Sequence, residues 1–509
     1  MPKKVTPKPD IILHDMEQQK LVLRSKQKSL GQFMTPPTVA KYMANRLLQG
    51  LHKKVIRVLE PAAGSGNLVA AVFDYIAAQP QKPQKVEFVL YEIDSSMMKP
   101  LLALAKHMRR EAKKLGFSVS CSIRQNDFLL NIRDEKFDVV IANPPFFKLR
   151  KNDPRSIAHK HIVHGQPNIY GLFMAACAQL LADDGRYCFI TPRSWTSGSY
   201  FSELRKYLFK YLYLEAVHLF KDREAVFTND RVQQEMMITW ATVKTSQDDV
   251  MVSSSSGIAD LGNVTFTLVP IANVIANKKC RSVNLPLASS ACSISNFQCT
   301  LETIGCRAST GKVVPFRATR WITSSASKNT VPLLWMRHVR RNEVVWPLKG
   351  DREHIVCSEK SIKLLVHNQN YVLVRRFSPR DQEHWIMAAP LIENTNKEYI
   401  GIENHVNYIH GVGVALTKYE VIGLAAYLNS RQVSLYFASR LGHTQINATD
   451  LNFLPVPCKE DLRRIGEKRQ EGVVQSEIDS LIDSIIYRIN PNTDESLRDE
   501  QRISEKSSI

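Results

Sequence analysis

The chain of 509 residues is long enough for two or three domains, each with its own core. Hydrophobic residues at 44% and charged residues at 23% exclude wholesale disorder, and no run approaches the ~20 apolar residues of a membrane-spanning helix. With 68 Lys+Arg against 49 Asp+Glu the net charge is +19, which suits a polyanion or an anionic membrane surface and does not choose between them.

Residues 1–30 read as a basic N-terminal arm, rich in lysine and without the apolar stretch of a signal peptide. From 31 to 245 strand-like and helix-like stretches alternate. The runs 55–60, 86–92, 119–123, 137–142, 186–191, 213–219 and 235–242 are β-branched or aromatic, and helical patterns such as 67–78 and 169–181 separate the first five. This alternation predicts an open α/β sheet with helices on both faces. The Ser-rich stretch 246–256 predicts a linker. A second, mixed α+β domain is expected over 257–490, with strands at 264–270, 311–316 and 371–377 and one long helix over 418–439, followed by a polar tail at 491–509. The nine cysteines are an odd number with no C-x-x-C pair, so they are read as reduced, with no metal site.

The run 55–60 ends in Glu60 and passes through Pro61, Ala62, Gly64 and Gly66 into a helical pattern. Glycines there let the backbone approach a ligand at the carboxyl end of the first strand. A dinucleotide fingerprint would want a third glycine where this chain has Val69, which weakens a pyrophosphate reading; a plain strand-to-helix turn is the bland alternative. Glu92 closes the second run, where it could chelate a ribose diol. Asn126-Asp127-Phe128 follows the third, suited to an adenine amino group and ring face, although Asp127 could equally cap a helix. Acids at three successive strand ends outline a nucleoside-shaped site without a phosphate clamp. That fits S-adenosylmethionine better than NAD or ATP.

The fourth run leads directly into Asn143-Pro144-Pro145-Phe146. The prolines remove donors and stiffen the backbone, which leaves the Asn143 side-chain carbonyl and the Pro144 main-chain carbonyl as paired acceptors for a planar amino group. Phe146 would stack on the ring that carries the amine; a rigid turn is the alternative. Lys148, Arg150 and Lys151 follow, placed to grip a nucleic-acid backbone. Base reading is expected within 257–460, where Arg337, Arg340, Arg375 and Arg376, with Arg317, Arg320 and Arg380, are mixed with Trp321, Trp335 and Phe377; any one of these arginines could equally face solvent.

On these motifs the sequence resembles the gamma-class amino-methylating DNA methyltransferases of type II restriction-modification systems, in particular the PstI/BsuBI-like methylases. Residues 30–36 resemble their N-terminal motif, which implies Phe33 and Thr35 at the methionine end of the cofactor. Residues 59–66 resemble their cofactor loop, and Asn143 to Phe146 their catalytic loop. Val226-Phe227-Thr228 resembles the segment whose aromatic ring stacks on the far face of an extruded adenine, although Phe227 would also suit a core position. Ser309 to Val314 and Leu428-Asn429-Ser430 are similar, more diffusely, to recognition domains. The resemblance implies a Rossmann-like S-adenosylmethionine-dependent domain and methyl transfer to N6 of a flipped-out adenine in double-stranded DNA. It further implies a monomeric bacterial cytoplasmic enzyme whose functional partner is a restriction endonuclease. Phe146 departs from the Tyr of many relatives, and N-P-P-F also occurs in ribosomal RNA guanine-N2 methylases. Those enzymes, protein-glutamine methyltransferases and a non-catalytic DNA-specificity subunit are the alternatives.

Overall fold

The computed structural model describes residues 33–162, 167–222, 226, 235–243, 248–276, 282–283, 293–348, 352–377, 386–393, 396–440 and 445–489. It divides into two units, 1–287 and 288–509. The N-terminal arm, Phe227, Arg380 and the polar tail lie outside the described residues. Among the described residues no helix is long and apolar enough to cross a membrane.

Unit 1 is built on nine strands: β1 (Val55–Glu60), β2 (Lys85–Tyr91), β3 (Ser118–Arg124), β4 (Phe137–Ala142), β5 (Leu181–Pro192), β6 (Tyr213–Phe220), β7 (Met236–Thr242), β8 (Asp249–Ser255) and β9 (Thr267–Pro270). They form one sheet in the order β3-β2-β1-β4-β5-β7-β6-β8-β9. Strands β1 to β5 run parallel, and β7 is antiparallel to both β5 and β6. The longer helices are α1 (Pro37–Leu48), α2 (Asn67–Ala78), α3 (Met98–Lys114), α4 (Ile169–Gln179) and α5 (Ser202–Tyr211). Alternate side chains of β4 feed opposite cores, as the two-residue period of a strand requires. Val139 and Ile141 pack with Met43, Val72 and Leu101 of α1, α2 and α3, while Val140 and Ala142 pack with Phe173 of α4 and Leu204 of α5. The chain moves outward from β1 to β3 and then returns to β4 on the other side of β1. That reversal opens a crevice at the carboxyl ends of β1 and β4, where open α/β sheets bind ligands.

The stretch expected as a linker, 246–256, instead holds β8, which pairs in parallel with β6. Its serines are polar without being a linker, because their hydroxyls are used inside the sheet. Ser253 Oγ lies 2.9 Å from His218 Nδ1 and Ser255 Oγ 3.0 Å from His218 Nε2, while Val250 and Val252 enter the core. The first unit therefore extends past 245 to 287.

Unit 2 is mixed α+β, with a four-stranded antiparallel sheet (Cys306–Thr310, Val406–Gly411, Tyr371–Arg375, Ala388–Leu391) and a five-stranded one. The helix expected over 418–439 is two helices, Lys418–Leu428 and Arg431–Arg440. Asn429 breaks it, because its fully buried amide stands in for a strand partner. It accepts from the Ala388 N–H at 2.9 Å and donates to the Ala388 carbonyl at 2.8 Å. The stretch 311–316 is not a strand; it runs into the short helix Pro315–Ala318. Lys418–Leu428 also crosses the helix Lys459–Gln470 at glycines. A Cβ on Gly423 would lie 1.8 Å from the Leu462 carbonyl oxygen, and one on Gly466 2.0 Å from that of Tyr419.

Candidate active site

Three segments meet at the crevice. Gly66 caps α2 with φ 86°, a left-handed conformation that favours glycine, and so turns the chain sharply from β1 into the helix. The side-chain amide of Asn67, the first residue of α2, donates to the Thr35 carbonyl at 2.8 Å, which holds the segment before α1 against the glycine loop. Asn143, immediately after β4, donates through Nδ2 to the Phe33 carbonyl at 2.7 Å and to Thr35 Oγ1 at 3.0 Å. With the amino end of its amide anchored twice, Asn143 Oδ1 is buried without a hydrogen-bond partner. A buried acceptor left open is costly and marks a place where a donor is missing. The rings of Phe33 and Phe146 stack with centroids 5.6 Å apart, and Phe146 meets Tyr170 edge-on at 6.2 Å.

Beside Asn143 opens a cavity of about 750 Å³, its mouth included. Of the residues expected at a cofactor, Phe33, Pro61, Ala62, Gly64, Glu92, Asp127 and Phe128 line it, as does Asn143. Thr35, Glu60 and Gly66 do not: Thr35 bonds Asn143, Gly66 shapes the turn, and Glu60 is buried at 2% exposure. Pro144 and Phe146 also stand outside the cavity lining. The wall contains residues the motifs did not single out, among them Phe147, Arg155, Ile169 and Phe173. Phe147 adjoins the tetrapeptide and was findable there. Ile169 and Phe173 belong to α4 and carry no local signal.

The two carboxylates differ in setting. Glu92 accepts the Gly64 N–H on Oε2 and the Asp94 N–H on Oε1, each at 2.7 Å. Burial raises its carboxyl above the usual carboxylate range, and the backbone donors pull the other way. Glu60 is pushed well above that range, first by burial and then by the neighbouring Glu92 charge, and its Oε2 has no partner. Asp127 does cap a turn, its Oδ1 accepting the Leu129 N–H at 2.9 Å, while its Oδ2 faces Arg155 at 3.7 Å.

Among the residues expected to grip DNA, Lys148, Arg150 and Lys151 are exposed on the segment after Asn143-Pro144-Pro145-Phe146, with Lys148 over the Tyr200 ring at 5.5 Å. In unit 2 Arg340 is exposed, whereas Arg337 is paired with the buried Glu353. Arg375 donates through Nε to the Val339 carbonyl at 2.6 Å, and Arg376 donates to the Asn404 carbonyl at 3.2 Å and to Asn447 Oδ1 at 3.3 Å. Both arginines are half-buried and make these bonds within their own unit.

A profile of the Eco57I restriction-modification methylases matches residues 91–227. The type II methyltransferase M.PstI of Providencia stuartii is 30% identical over 480 residues, covering 90% of this chain and 93% of that protein. The chain belongs to the type II restriction-modification methyltransferases. Type II methyltransferase M.BsuBI of Bacillus subtilis is 29% identical to this methyltransferase over 94% of the chain and 99% of its own length. The type IIL restriction-modification enzyme MmeI, solved in complex with DNA, shares the fold with a TM-score of 0.54 at 13% identity, over 96% of this chain and 76% of that one. The cofactor of this methyltransferase is S-adenosylmethionine. Its residues fit that molecule: a carboxylate at the end of β2, a glycine loop of open backbone, and apolar faces from Phe33 and Phe128 around one cavity.

Proposed function

We propose that this methyltransferase transfers a methyl group to the N6 amino group of an adenine flipped out of double-stranded DNA, in the service of protecting sites from a partner endonuclease. The observation that carries the reading is the open Asn143 Oδ1, held in place from the other end of its own amide. An exocyclic amino group supplies the two hydrogens that this oxygen and the Pro144 carbonyl would accept. Accepting them draws the nitrogen toward tetrahedral geometry and frees its lone pair for in-line attack. S-adenosylmethionine supplies the activated methyl. Glu92 binds ribose hydroxyls, Gly64 brings backbone close, and the Phe33 ring backs Phe146, which stacks on the base and offsets part of the few kcal/mol that extrusion costs. Phe227 is proposed as the second stacking ring, and Lys148, Arg150 and Lys151 as contacts to phosphates flanking the extruded base.

Transfer of labelled methyl to plasmid DNA, ribosomal RNA and a protein release factor separates the substrate classes, and digestion of the DNA to nucleosides identifies the methylated atom. Label in N6-methyl-2′-deoxyadenosine is expected. Label confined to guanine-N2 of RNA or to protein would refute the proposal. Asn143→Ala should retain S-adenosylhomocysteine affinity and lose two or more orders of magnitude in turnover, about 3 kcal/mol of transition-state stabilisation.

A further inference from the structure

The arginines expected to read DNA are in part committed elsewhere, which directs attention to the other basic residues of unit 2. The forty residues 303–342 contain eight Lys or Arg and no Asp or Glu. Within them, Phe316 is 77% exposed. Its neighbours explain why it cannot turn inward. Val313 and Ala318 are fully buried against Leu333, Ile355 and Leu365, and the backbone of Val313 bonds Ile402 on one side and Asn404 on the other. Gly311 seats this stretch so closely that a Cβ would lie 2.2 Å from the Glu403 carbonyl oxygen. The short helix Pro315–Ala318 is thus pinned at both ends with Phe316 on its outer side.

Arginine flanks this ring and a second aromatic. The Arg317 guanidinium lies 5.2 Å from the Phe316 ring centroid and that of Arg320 4.0 Å from the Trp321 ring. Among the described residues neither arginine is in an ion pair. Cation–π stacking holds a guanidinium flat and leaves its donor edges outward, the disposition used for phosphates and for guanine edges.

We propose that residues 312–321 form a duplex-DNA docking surface, with Phe316 as an apolar wedge against base or sugar faces and Arg317 and Arg320 as contacts to phosphate or guanine. This rests on the reading of DNA as substrate. An exposed aromatic beside unpaired arginines, in a stretch without a single acid, is complementary to a polyanion with apolar faces and not to an acid-free protein surface.

The test uses the full chain and a fluorescent duplex cut from plasmid DNA that the parent methylates. Phe316→Ala should weaken duplex binding about tenfold with the salt slope unchanged, and Phe316→Trp should stay within about threefold of the parent. Arg317→Ala and Arg320→Ala should each lower the log–log salt slope by about one. All should bind S-adenosylhomocysteine like the parent, since that cavity belongs to unit 1. If Phe316→Ala and the Arg317→Ala/Arg320→Ala double variant bind the duplex with the parent's affinity and slope, the patch serves something else and the proposal falls alone. A parent that binds no duplex would overturn the functional reading as well. Should the alanine variants melt early, Phe316→Ser and the Arg317→Gln/Arg320→Gln double variant decide by the same two readouts, a loss of affinity and a lower slope supporting the proposal and parent-like values overturning it.

Discussion

Glu60 carries an ionisable group in a place that disfavours charge, so its protonation is tied to the stability of the sheet. Its folded pKa lies well above the ordinary 4.5 because of burial and of Glu92. The folded chain therefore keeps a proton that the unfolded chain releases as pH rises past about 4.5. Stability from this residue is complete below that value and declines as pH climbs. Glu60→Gln removes the dependence: its melting temperature should match the parent near pH 4.5 and exceed it by a margin that widens toward pH 8, read by calorimetry in paired buffers. A margin that stays constant across that range would mean that Glu60 is charged in the fold. At this scale the sequence identifies which residues end strands and leaves open where their side chains go. Glu60 and Glu92 both end strands beside the glycine loop, yet Glu60 is buried away from the cavity and Glu92 lines it. Asn143 was legible because two prolines leave it little else to do.

The elements most legible in the sequence are those buried on both faces, β1, β2 and β4, whose apolar runs are nearly continuous. Strand β8 was not, since its serines find their partners on His218 of β6, thirty-five and thirty-seven positions earlier. The break at Asn429 escaped for the same reason: Ala388, which satisfies it, is forty-one positions away. Local pattern cannot report such pairings. The helix crossing at Gly423 and Gly466 is another, and it makes a sharp prediction. Gly423→Ala would force a Cβ into the Leu462 carbonyl and should cost about 1–3 kcal/mol, seen as a lower denaturant midpoint. Gly262→Ala, with nothing within 4 Å of its added Cβ, is the control and should shift it little. Equal shifts for the two would show that the helices can part at small cost.

Across the whole molecule the surplus of nineteen positive charges governs how affinity for a polyanion responds to salt. Duplex affinity should fall steeply between 50 and 200 mM salt, and Arg150→Ala and Lys151→Ala should each reduce the log–log slope by about one, measured by anisotropy. A parent slope near zero would remove DNA from the functional reading. The net charge was plain in the sequence; its deployment was not. Lys148, Arg150 and Lys151 are exposed beside the site, whereas Arg375 and Arg376, no less basic, are half-buried and commit donors to acceptors within unit 2.

The anchoring of Asn143 by Thr35 has a consequence in time. The two residues are 108 positions apart in the chain. At a translation rate of roughly 5–20 residues per second, the asparagine leaves the ribosome roughly 5–20 s after the threonine that will aim it. For that interval the glycine loop and α1 can already have formed, and the amide that Thr35 will hold has not yet left the ribosome. The asparagine is therefore aimed only after β1, β2 and β3 have been made, and before any of the five strands from β5 to β9 has been.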